Sequence, residues 1–74
     1  MNSTDVMAAA LKESGLKQMD LAEILKVNRS TISTNMRRDN IGINVFLRLM
    51  NTMGYTVMVG QKEGEMFFPK WEVK

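Results

Sequence analysis

Residues 18–38, Gln18-Met19-Asp20-Leu21-Ala22-Glu23-Ile24-Leu25-Lys26-Val27-Asn28-Arg29-Ser30-Thr31-Ile32-Ser33-Thr34-Asn35-Met36-Arg37-Arg38, decide the fold. They read as two short helices joined by a tight turn. The first holds Leu21, Ala22 and Leu25 at helical spacing, with Asp20 and Glu23 early, where a helix N-terminus favours negative charge. The second starts after Asn28, a strong N-cap residue, with Val27 and Ile32 spaced for a hydrophobic staple. Ile32 and Met36 face inward together, while Ser30, Thr34, Arg37 and Arg38 point the other way on a 3.6-residue wheel. Four positive side chains and no carboxylate lie between Lys26 and Arg38.

That outer face suits nucleic acid. Ser, Thr and Asn are compact enough to let a helix approach base edges in a major groove, and Arg grips guanine bidentately or reaches a phosphate. A merely solvated face would mix in Glu and Asp at i, i+4, and this one has none. The net charge of the 74-residue chain is +2; residues 26–38 carry +4, which leaves −2 on the remainder. A cationic patch on a slightly acidic body is the footprint of an oriented nucleic-acid binder.

The stretch resembles the helix-turn-helix of the Cro and phage-repressor family, also called XRE-like. Gln18, Leu21-Ala22, Leu25, Val27 and the run Arg29-Ser30-Thr31-Ile32-Ser33 fall at that family's spacing, and the likeness extends more weakly over about residues 3–55. Two positions depart from it. Lys26 stands where the family has Gly at the turn, and a non-Gly residue at positive φ costs roughly 1 kcal/mol. Lys17 stands where Ser or Thr caps the helix, a loss of about 1 kcal/mol. The resemblance implies that Arg29, Ser30 and Thr34 read bases, with Thr31 and Asn35 as weaker candidates. It places Asn28 and Gln18 on the DNA backbone. Arg37 and Arg38 suit phosphate or the negative end of the helix dipole.

Around this core the chain supplies two more helices and a tail. Ser3, Thr4 or Asp5 can cap a first helix with Val6, Met7, Ala10 and Leu11 inward, stopped by Gly15. Asp39-Asn40-Ile41-Gly42 is a turn by composition. A fourth helix, Ile43 to Met53, carries an inward stripe of Ile43, Phe46, Leu47, Met50 and Met53, with Val45 and Leu49 widening it. Tyr55-Thr56-Val57-Met58-Val59 reads as a strand, Gln61 to Gly64 as a turn, and Glu65 to Phe68 as a second strand ended by Pro69. The expected fold is therefore mainly α, a four-helix Cro/repressor-like helix-turn-helix domain over 1–54. A β-strand or hairpin tail over 55–74 follows as a dimerisation element. A bare hairpin is unstable in water, so the tail needs its own body or a second subunit. Pairing across a twofold axis is the preferred solution, through Val45, Leu49, Tyr55, Val57 and Val59.

Composition narrows the function. Without Cys or His, the chain has no disulfide, no thiol chemistry, and neither the commonest general base nor the commonest metal ligand. No Gly-rich phosphate loop or nucleophile elbow appears, so no enzyme, cofactor or metal is expected. No leader or membrane-length apolar run is read either, and a reducing cytoplasmic location is expected. The eight Met residues are taken as adaptable core filler. The expected activity is repression by a homodimer occupying a near-palindromic duplex operator. The alternative is an antitoxin-type module that holds a toxin partner through Phe67, Phe68 and Trp71 while binding its own promoter.

Overall fold

The computed structural model describes residues 1–38 and 40–74. Four helices, α1 (Ser3–Ser14), α2 (Gln18–Leu25), α3 (Arg29–Arg37) and α4 (Ile43–Thr52), precede an antiparallel hairpin of β1 (Val57–Glu63) and β2 (Met66–Val73). Asp39, the first residue of the expected turn, lies outside the described residues.

Each helix begins and ends for a local reason. α1 is capped by Asn2, not by the residues after it: the Asn2 side chain accepts from the Asp5 amide at 2.9 Å and the Asp5 carboxylate accepts from the Asn2 amide. Any of four successive capping residues is chemically able, and the reciprocal pair with Asp5 selects Asn2. Gly15 ends the helix at φ 76. α2 has no hydroxyl cap, but the Asp20 carboxylate accepts the Lys17 amide at 2.8 Å. At its other end Val27 N–H bonds Ala22 O and Lys26 N–H bonds Glu23 O, a Schellman closure with Lys26 at φ 57 in the place glycine prefers.

The core gathers Met7 and Ala10 of α1, Leu21 and Ala22 of α2, Ile32 and Met36 of α3, and Leu49 and Met50 of α4, with Met53 just beyond. Leu49 was expected to widen the apolar stripe and to join a partner; it is instead 1% exposed, within its own core. Ile43, expected inward, is 59% exposed. α4 is apolar almost all round, so packing rather than periodicity decides which side is covered. It lies across α1, α2 and the foot of β1, and Ile43 in its first turn overhangs the core.

The tail also departs from expectation. Tyr55 precedes β1, Gln61 to Glu63 continue the strand, and the turn is Gly64-Glu65. Gly64 at φ 62 occupies the first central position, as a type II′ hairpin turn requires. Pro69 does not end β2. It pairs with Gly60, and Lys70 is the extra residue between that pair and Val59↔Trp71. A bulge on an edge strand tolerates a residue without an N–H. Gly60 cannot be larger, because a Cβ there would lie 2.4 Å from the Phe67 ring and 2.5 Å from Phe68 O.

Candidate nucleic-acid interface

α3 is fixed from behind and open in front. Ile32 and Met36 are buried in the core, which sets the helix's rotation about its axis. Arg29, Ser30, Thr31, Thr34, Arg37 and Arg38 are exposed on the side away from it, and Asn35 is half-buried. The Thr4 hydroxyl donates to Arg38 O at 3.1 Å, tying the end of α3 to the start of α1. Among the described residues, no carboxylate lies within ion-pair distance of Lys26, Arg29, Arg37 or Arg38.

Asn28 is the N-cap of α3 by backbone geometry, yet its side chain makes no capping hydrogen bond. Its amide is exposed beside the first turn, where backbone N–H groups have no intrahelical acceptor. Such an end favours an anion.

Gln18 and Arg29 come together. They line a shallow open depression where the N-termini of α2 and α3 meet, and Lys17 and Met19 complete its rim. Lys17 was read only as a missing cap. What places it with the cationic patch is the depression it shares with Gln18 and Arg29, a tertiary proximity that its place in the sequence did not signal. The surface as a whole can hold phosphates at the two helix starts and present small hydroxyls between arginines.

The proposed pairing residues scatter. Val45 and Val59 are exposed. Val57 is half-buried against its own core, and Leu49 is within it. Tyr55 is half-buried, and its hydroxyl donates to Glu13 Oε1 at 2.5 Å. That bond, with burial and the nearby carboxylate charge, holds the phenol's pKa above its ordinary value of 10.0. Phe67, Phe68 and Trp71 do not fold onto α4; they stand 56%, 43% and 66% exposed.

Among the described residues, no three His, Cys, Asp or Glu side chains converge as a metal-ligand set would. No described helix is long and apolar enough to cross a membrane. Comparison with protein-family models, with curated proteins and with solved structures finds no match in any of the three.

Proposed function

We propose that this chain is a sequence-specific duplex-DNA-binding transcriptional regulator with a Cro/repressor-like helix-turn-helix, acting in the cytoplasm as a homodimer. The observation that carries the reading is the two-sidedness of α3: Ile32 and Met36 are locked in the core while Ser30 and Thr34 stand outward between Arg29 and the Arg37-Arg38 pair. Arg29, Ser30 and Thr34 read bases from the major groove, with Thr31 and Asn35 alongside. Asn28, Gln18, Arg37 and Arg38 hold phosphates, and Lys17 joins them. Two recognition helices one DNA turn apart, roughly 34 Å, match a near-palindromic operator. Occupancy represses; no chemistry is performed.

The test is selection of bound duplexes from a random pool, with sizing of the free protein. Recovery of a near-palindrome supports the reading. A pool that shows no enrichment at low ionic strength rejects it.

The exposed Phe67, Phe68 and Trp71 favour a second reading, in which the tail grips a toxin and the helices regulate its promoter. Exposed aromatics are common hot-spot material. A one-to-one complex with a partner from the source cell, formed at the expense of the homodimer, would put that reading first.

A further inference from the structure

We infer that the hollow between α1, α4 and the segment leading into β1 binds a small arylalkylammonium ion, an aromatic ring on a short cationic arm, with Glu13 as its counter-ion. None of the residues lining the hollow lies on α3, so the inference stands whether or not α3 takes duplex.

One face of α1 supplies most of the lining. Val6, Ala9, Ala10 and Glu13 fall at i, i+3, i+4 and i+7, and all four border the hollow. Met50 of α4, Tyr55 and Met1 complete it. Ala10 and Met50 are buried and set its depth, while Met1 and Ala9 are exposed at its rim. Two adjacent alanines leave the space open: a longer side chain at Ala9 would occupy it.

Size and lining select the body of the ligand. The hollow has a volume of about 210 Å³. An apolar cavity of about 150 Å³ takes a benzene ring, so a ring with a short arm fits here. Val6 and the alanines offer apolar contact, and a methionine thioether is a favourable partner for an aromatic ring. Met50 is one such partner, already held in the core.

Polarity selects the arm. Glu13 and Tyr55 are the only polar side chains of the lining, and the Tyr55 hydroxyl donates to Glu13 Oε1. A carboxylate has two acceptor oxygens, so an ammonium can take Oε2 without displacing the phenol. Among the described residues, no lysine or arginine lies within ion-pair distance of Glu13. A neutral ligand would strip water from this carboxylate and return nothing for its charge, and an anion would be repelled. An apolar chamber with one placed charge is the ordinary make-up of a small-ligand site.

Three probes of similar size separate the parts of the inference: phenethylammonium, neutral phenethyl alcohol and anionic phenylacetate. Each is titrated into protein isotope-labelled at the methionine methyls, with thermal unfolding followed alongside. Phenethylammonium should shift the Met50 methyl signal saturably, leave the exposed Met19, Met58 and Met66 signals unmoved, and raise the unfolding midpoint with concentration. Affinity should run ammonium, alcohol, carboxylate, with about three- to tenfold between the first two, as one partly exposed charge pair supplies. Glu13→Gln keeps an acceptor for Tyr55; it should erase that preference and leave the alcohol's affinity unchanged. Ala9→Leu, an exposed change to another good helix former, should fill the hollow and abolish uptake of both. Equal affinity for ammonium and alcohol, or a preference that survives Glu13→Gln, overturns the counter-ion. A Met50 signal that no probe moves, or methionine signals that all drift together without saturating, overturns the site.

Discussion

The Tyr55 hydroxyl donates a 2.5 Å hydrogen bond to Glu13 Oε1, 42 residues away in sequence, fastening the segment that leaves α4 to the last turn of α1. With the packing of Val57 on the core, this bond ties the tail to the helical body. It also makes the attachment sensitive to base.

The phenol's proton is held more tightly in the folded chain than in the unfolded one. Its contribution to stability is therefore whole below the unfolded value of 10.0 and is lost as pH rises through the higher folded value. Thermal unfolding should show a fall in stability on that alkaline limb, and Tyr55→Phe should abolish this part of the fall while slightly lowering stability at neutral pH. Tyr55 is the only tyrosine, so its absorbance titration reports the shift directly; an ordinary pKa would contradict the bond.

Lys26 is the one non-glycine residue at positive φ among those described. Lys26→Gly relieves the strain but frees the unfolded chain. The net expectation is a gain of about 0.5–1 kcal/mol in denaturant unfolding. A loss of stability would mean that the lysine stem contributes packing that outweighs the backbone.

Ile32 sets how α3 is presented without touching the outer face. Ile32→Val should cost about 0.5–1.5 kcal/mol and Ile32→Ala about 2–5 kcal/mol. Calorimetry checks the order. Duplex affinity should fall only as far as the folded fraction does, whereas a larger fall would place Ile32 in the interface itself.

Gly60→Ala should disrupt the hairpin. The added carbon meets the movable Phe67 ring but also the fixed Phe68 carbonyl, so pairing Gly60→Ala with Phe67→Ala should restore little. Overpacking of this kind costs about 1–3 kcal/mol. Trp71 fluorescence and helical circular dichroism, read together, should show the hairpin altered with α1 to α4 intact.

Much of the helical layout was legible in the sequence because local chemistry and packing agree there. Leu21, Ala22, Ile32 and Met36 fall at helical spacing and are buried, and Gly15 stops α1 where glycine should. The exposure of Ser30 and Thr34 followed from the same wheel. Where several residues could play one part, the sequence alone did not choose: Asn2 caps α1 because Asp5 reciprocates, and Leu49 is buried because an almost uniformly apolar α4 leaves the choice to its neighbours. Pro69 looked like a strand terminator because its pairing with Gly60 at a bulge depends on register. Lys17 escaped notice because its proximity to Arg29 is a tertiary fact.

Arg29 and Arg38 should behave differently on DNA. Arg29→Ala should cost about 1–3 kcal/mol on the preferred site and relax one base position, while Arg38→Ala should weaken all sequences alike and flatten the salt dependence. Equal loss on every duplex would move Arg29 to phosphate.

The central claim is tested most directly by titrating the protein with its selected duplex and with a scrambled duplex across a range of salt concentrations. The account predicts uptake of both at low salt, a steep loss with added salt, and a preference of at least about a thousandfold for the selected duplex. Ser30 and Thr34 changed together to bulkier side chains should erase that preference. Absence of duplex uptake at low ionic strength, or a preference that survives those changes on α3, would contradict it.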